Sequence, residues 1–173
     1  DGIVICENSF TNMSNNCINL PNWSNVEISD NSVEGARMFF YTSGTSGEVT
    51  GNEVNDLTFA GILCQNESDL DICNNILNFD ELAEGKDYGI NINNSTAQVS
   101  NNSINGSGNV GIAVRNTDTV KVENNTVTNS ALCGFIIENS DIELSENSAS
   151  GAVSAGLHIV DSTVTVKGTS VDD

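Results

Sequence analysis

Glu27, Glu48 and Asp71 hold one place in a short phrase that the chain repeats, a polar residue between two apolar ones just before a turn. If the copies stack, these carboxylates come about 5 Å apart. Like charges at that spacing repel by roughly 1 kcal/mol per pair at a surface. Calcium, which favours hard oxygen ligands, would relieve the repulsion; splayed, solvated carboxylates would relieve it too.

Five cysteines are the next chemically capable set: Cys6, Cys17, Cys64, Cys73 and Cys133. Their odd number leaves at least one unpaired or bonded to another chain. No pair has the CxxC form and zinc-ligand spacing is absent. Cys64 falls in an inward column and is expected in the core. Cys6, Cys17, Cys73 and Cys133 fall at outward, corner or loop positions and are candidates for bridges within or between chains. Sequons at Asn12, Asn22, Asn66, Asn93, Asn101, Asn105 and Asn124 suit a secreted glycoprotein.

The charge balance narrows the partners. Twenty-four acidic side chains against five basic ones give a formal charge of −19. Such a surface repels nucleic-acid phosphates and anionic lipid, so neither nucleic-acid binding nor membrane insertion is expected. No apolar run is long enough to span a bilayer. The sequence opens on Asp1 with no secretory signal, as a chain released from a leader or a larger parent would. An extracellular or cell-surface location is expected.

These residues are positioned by a repeat. Asn16, Asn31, Asn52, Asn75, Asn102, Asn125, Asn147 and Thr169 anchor eight copies at spacings of 15, 21, 23, 27, 23, 22 and 22 residues. Two residues after each anchor, and three before it, the side chain is always apolar. The position four before it (Asn12, Glu27, Glu48, Asp71, Gln98, Lys121, Glu143, Thr165) is always polar. That is the in–out alternation of a strand with one buried face. A second phrase, "GIVI" (2–5), "GILC" (61–64), "GINI" (89–92), "GIAV" (111–114), "GFII" (134–137) and "GLHI" (156–159), precedes the better copies. Three short strands in about 22 residues predict an all-β solenoid of 7–8 coils in one domain, 1–173. Each strand pairs in parallel with its equivalent one coil on. The asparagines are expected to form a ladder of amides along the coils.

The units "V-x-V-x-N-N-x-V" preceded by "G-I-x-V" resemble the single-stranded right-handed parallel β-helix superfamily, the pectate-lyase-like fold, and within it the Asn-rich repeats of NosD-like proteins and surface adhesins. The resemblance covers nearly the whole chain and speaks to fold far more than to activity. It implies where an enzyme would show itself: lyases of this fold use a Lys or Arg base beside calcium-holding carboxylates, and hydrolases pair aspartates with a histidine motif. Lys121 and Arg115 face outward in one coil, but Lys121 lies between Gln98 and Glu143 in its column, where a cross-coil ion pair accounts for it. His158, the only histidine, has no acidic pair aligned beside it. Ice binding would need a threonine array that only "TVTV" (163–166) offers, and calcium-binding GGxGxD repeats are absent.

Irregular coils are expected at 19–60, around "LPNWSN" and "GARMFF", and a protruding loop at 78–88. The first-strand outward residues Val4, Leu63, Ala113 and Ile136 are apolar, a possible lateral contact face. Solenoid ends need caps and none is apparent, so end-to-end self-association or neighbouring solenoid coils are expected. The expected function is a non-catalytic structural or adhesive solenoid, either a filament protomer or a segment of a longer surface adhesin, with a glycan or cell-surface partner. The alternative is a carbohydrate-binding or polysaccharide-cleaving module.

Overall fold

The computed structural model describes residues 2–81 and 85–172. Every element is a strand, every strand pairing is parallel, and no helix occurs among the described residues. Eight strands make one sheet, one per rung: Ile3–Cys6, Val26–Ser29, Ser46–Thr50, Asp69–Cys73, Thr96–Ser100, Val120–Glu123, Asp141–Ser145 and Thr163–Lys167. The other sheet starts with three long strands, Ser9–Asn19, Ser32–Ser43 and Glu53–Gln65, which bend part-way along. From Glu53–Gln65 onward it forks. One branch carries Ile76–Phe79, Ser103–Asn105, Thr126–Thr128, Ser148–Ser150 and Ser170–Asp172. The other carries Tyr88–Asn93, Val110–Arg115, Cys133–Glu138 and Ala155–Val160.

Alternation puts one apolar face of each strand inside, where Ile28, Val49, Ile72, Val99, Val122 and Leu144 form a column with no exposed surface. The core runs continuously from Ile18 to Ala149, with Phe39, Phe40 and Phe135 filling its wider sections.

The turn after each eight-stranded-sheet strand explains the paired polar residues of the repeat. Its first residue takes a left-handed backbone: Glu7, Asp30, Gly51, Asn74, Asn101, Asn124, Glu146 and Gly168 all lie between +52° and +65° in φ. Asparagine, aspartate and glycine adopt that conformation at least cost. The second residue is the ladder residue. Asn102 Oδ1 accepts from the backbone N–H and from Nδ2 of Asn75, both at 3.0 Å. Asn102 Nδ2 in turn donates to Asn125 Oδ1 at 3.0 Å and to the Ile72 carbonyl at 2.9 Å. The same bonds run through Asn31, Asn52, Asn75, Asn102, Asn125 and Asn147, and the Asn147 N–H reaches Thr169 Oγ1 at 3.4 Å. Among the described residues no buried side-chain nitrogen or oxygen lacks a partner.

The first rung corrects the sequence-based alignment. Asn16 is not in the ladder: it pairs with Met38 on a long strand. The ladder opens on Asn8, whose N–H and Nδ2 donate to Asn31 Oδ1 at 3.0 and 3.1 Å. The first spacing is therefore 23 residues rather than 15. For the same reason "GIVI" is not a copy of "GILC". Ile3–Cys6 pairs with Val26–Ser29, so Val4 stacks on Glu27 and stands 62% exposed. Repeated "G-I-x-V" text misled because two different strands of the coil share an apolar alternation. The irregularity expected over 19–60 narrows to register shifts between Ala36 and Met38 and between Val54 and Leu57. A third lies outside that range, between Met13 and Asn16. The connection expected at 78–88 is bounded more tightly, since Asn78 and Phe79 still belong to a strand and Tyr88 opens the next; residues 82–84 of it lie outside the described residues.

Candidate functional site: a bulge-built groove on the outer surface

Two of the register shifts fall one above another. Met13, Ala36 and Leu57 are paired neighbours, as are Asn16, Met38 and Ala60. Between them the first rung inserts Ser14 and Asn15, the third inserts Thr58 and Phe59, and the second inserts Arg37 alone. Bulges of this kind bend a strand and re-aim side chains. Here the bend leaves a groove of about 720 Å³ lined by Asn12, Ser14, Arg37, Thr58, Phe59 and Asp80 among others. The Arg37 guanidinium lies over the Phe59 ring, 4.3 Å from its centroid. Lys86 Nζ donates to the Asp80 carbonyl at 3.0 Å and the Asp87 N–H to the Phe59 carbonyl at 2.7 Å, which ties Lys86 and Asp87 to two residues of the groove lining. Sequence reasoning passed over these residues. The signal was present in "GARMFF", where the two-residue period breaks next to the longest connection.

The carboxylates singled out above do stack. Val4, Glu27, Glu48, Asp71 and Gln98 form one outward column, and Ser29 Oγ donates to Glu27 Oε1 at 3.1 Å. Among the described residues no group of three or more His, Cys, Asp or Glu side chains is arranged to hold a metal ion.

The expected lateral face is closed from within. Leu63, Asn91, Ala113, Ile136 and His158 do share a column. Ala113 is fully buried, however, and Ile136 is 7% exposed, because they pack in a small outer cluster with Val110, Cys133, Tyr88 and Ala155. Arg115 spans the cluster. It stacks on Tyr88 at 4.9 Å, pairs with Glu138 and donates to Asn91 Oδ1 at 3.1 Å.

Lys121 sits between Gln98 and Glu143 as expected, but its ammonium pairs with Glu123 on its own strand. Glu143 is instead paired with Lys167 at 3.0 Å, one rung on. Residues two apart on a strand point to the same side, so Glu123 competes directly with the cross-rung partner.

All five cysteines are free thiols. Cys6 and Cys73 lie in one column with Ser29 and Thr50 between them, about 14 Å apart at the strand spacing. A disulfide needs Cα atoms within about 7 Å. Cys17 and Cys133 are free as well, on the strands Ser9–Asn19 and Cys133–Glu138. Cys133 is buried in the outer cluster rather than in a loop. Burial pushes the Cys17 and Cys64 thiols up to about 11. Burial, then the carboxylates of Asp71 and Glu48, raises Cys73; burial raises Cys133.

A ladder-stabilised parallel β-solenoid is therefore the class of molecule that carries these features. The chain belongs to the right-handed β-helix family, whose description, right handed beta helix region, matches residues 40–173. Among solved structures, the enzymatically active domain of tailspike protein 2 from bacteriophage CBA120 superposes with a TM-score of 0.62 at 9% sequence identity. The match covers 98% of this chain and 38% of that one, so the present chain spans well under half of that domain. The likeness is one of fold. A comparison with curated proteins returns no sequence relative.

Proposed function

We propose that this chain is an extracellular, non-catalytic β-solenoid with a structural or adhesive role, presenting its outer surface to a glycan or another cell-surface component. One observation carries the reading. The polar side chains that recur in every rung are spent on hydrogen bonds along the solenoid, whereas outward positions change from rung to rung: Glu27, Glu48, Asp71, Gln98, Lys121, Glu143, Thr165. A column of that kind makes a rigid surface, with no acid–base pair repeated or converging on it. The cations that an enzyme of this fold would use, Arg115 and Lys121, are tied to Glu138 and Glu123.

The second reading, a polysaccharide-cleaving module, is supported by the tailspike neighbour, an enzymatically active domain, and by the groove at Arg37. Retention on immobilised surface polysaccharides, with product sizes followed by gel filtration, separates the two. The adhesive role predicts that polymer is held and recovered at full length. Shortened polymer would establish cleavage, and no retention on any polymer would remove the adhesive role.

End-to-end self-association is part of the same proposal. Ile159, Val166 and Val171 in the last described rungs are 43–47% exposed, although their column neighbours Ile137, Leu144 and Ala149 are at most 1% exposed. A further coil of a longer solenoid would cover this surface as well as another copy would, and both belong to the proposal.

A further inference from the structure

We propose that Asn105 is a self-modification site. Its side-chain amide converts to aspartate and isoaspartate through a cyclic imide closed by the backbone nitrogen of Gly106, with water as the co-reactant.

Ring closure of this kind is least hindered where the residue after the asparagine has no side chain. Asn105-Gly106 is the one Asn-Gly pair in the sequence. The structure then separates Asn105 from the asparagines of the ladder. Those are buried, and their Nδ2 groups donate along the solenoid, as Asn102 Nδ2 does to Asn125 Oδ1 and to the Ile72 carbonyl. Asn105 is half-buried at the end of the strand Ser103–Asn105. Its Oδ1 accepts from Thr128 Oγ1 at 3.0 Å and from Asn129 Nδ2 at 2.9 Å, while its Nδ2 donates to no group among the described residues. Asn78, its neighbour one rung back, turns its own amide to Asn55 Oδ1 at 2.8 Å. The nitrogen that must leave is therefore the unheld end of the amide.

The atoms balance with water alone. The Gly106 nitrogen bonds to Asn105 Cγ, the Cγ–Nδ2 bond breaks, and the proton lost from Gly106 departs with the amide nitrogen as ammonia. Water then opens the ring. Attack at Cγ gives aspartate; attack at the Asn105 backbone carbonyl carbon gives isoaspartate, whose main chain runs through Cγ and is one carbon longer. One bond gates the reaction. The Gly106 N–H donates to the Thr128 carbonyl at 3.0 Å and must come free before the nitrogen can attack. That bond lies just past the end of the strand, so a local opening releases it without unfolding the chain.

The two products differ in consequence. Both side-chain bonds of Asn105 are accepted by Oδ1, so aspartate keeps them with the acceptor now charged. At a ladder position the same change would set a carboxylate against the oxygens that the lost amide served. Isoaspartate lengthens the main chain where Ser103–Asn105 pairs with Thr126–Thr128 and disturbs that register.

The test is prolonged incubation of the full chain at mildly alkaline pH, followed by peptide mapping in a mass spectrometer, for wild type and Gly106→Ala, with thermal melting of both and of Asn105→Asp. Asn105 also opens a sequon, so the chain is made in a host that adds no N-glycan. A Cβ at Gly106 would meet Phe79 at 3.6 Å, an ordinary contact, so Gly106→Ala brings only the strain of its φ of +78°, and the melt checks that it stays folded. The expected result is conversion at Asn105 ahead of every other asparagine, slowed about tenfold in Gly106→Ala by the added methyl. Urea below the unfolding transition should speed it as the gating bond opens. Asn105→Asp should melt with the wild type, and the isoaspartyl fraction of an aged sample below it. No conversion, conversion elsewhere first, or an equal rate in Gly106→Ala overturns the site. An Asn105→Asp chain melting well below the wild type overturns the tolerance of aspartate there.

Discussion

Asn102 and Asn16 are the same residue type in the same sort of polar turn text, yet only one of them holds rungs together. Replacing Asn102 by Ala would strand the Asn75 N–H and the Ile72 carbonyl in the core. Each buried group left unpaired costs about 1–3 kcal/mol, so a loss of about 3 kcal/mol is expected in urea denaturation. Asn16→Ala should shift the midpoint by a small fraction of that, since Asn16 makes no ladder bond. An equal cost for both would mean that the ladder does not carry the load ascribed to it. Most of the ladder could be read directly from the repeated asparagines. Asn8 could not, because Asn16 offers a rival anchor with an apolar residue three before it, Met13, and another two after it, Ile18. The physical rule is a left-handed residue followed by asparagine, and Glu7 and Glu146 satisfy it less obviously.

The thiols make a second prediction at this scale. A thiol held at about 11 by burial, as Cys64 is, keeps its proton in the folded state where an unfolded chain would release it near 9. Its contribution is fully present below pH 9 and is lost as pH rises through 11. Denaturation midpoints should therefore fall over that window, and fall less in a Cys17→Ala, Cys64→Ala chain. With iodoacetamide at pH 8, exposed Cys6 should label first and Cys64 last. Rapid labelling of Cys64 would contradict its place in the core.

At the scale of the strand, the glycine of "G-I-x-V" carries the fold. A Cβ on Gly111 would meet Val127 Cγ1 at 2.2 Å and the Gly134 carbonyl at 2.7 Å. Gly89 and Gly134 face Ile104 and Ala149 in the same way. At this corner two successive positions turn inward, and only a residue without a side chain lets the strand pass the branch opposite. Gly111→Ala is expected to cost about 3 kcal/mol, the upper part of the range for overpacking. Gly85→Ala, whose Cβ would meet nothing within 4 Å, should cost only the strain of its φ of +75°, about 1 kcal/mol. Comparable losses at both sites would refute this corner geometry. The glycines were visible as a recurring letter, but their reason was not, since it depends on a strand some 16 residues later. The bulge at Arg37 was hidden more deeply. A one-residue change in register alters no composition and shows only when three rungs are laid side by side.

For the whole molecule, parallel stacking of like rungs explains how so acidic a chain stays folded: apolar columns and two-way amide bonds run its length while the carboxylates point to water. The rung count and parallel pairing followed from the period. Which outward faces were closed did not, because the cluster around Ile136 is assembled from side chains that sit next to one another only after folding. End-to-end association belongs at this scale as well. Negative-stain microscopy should show rods lengthening with protein and salt concentration; uniform short particles throughout would remove self-association from the proposal. The role itself is decided by one experiment: incubate the folded chain with immobilised surface polysaccharides and measure together what is retained and how long the polymer remains. Retention with polymer length unchanged is the expected result. Loss of polymer length, or no retention on any polymer, would contradict an adhesive solenoid.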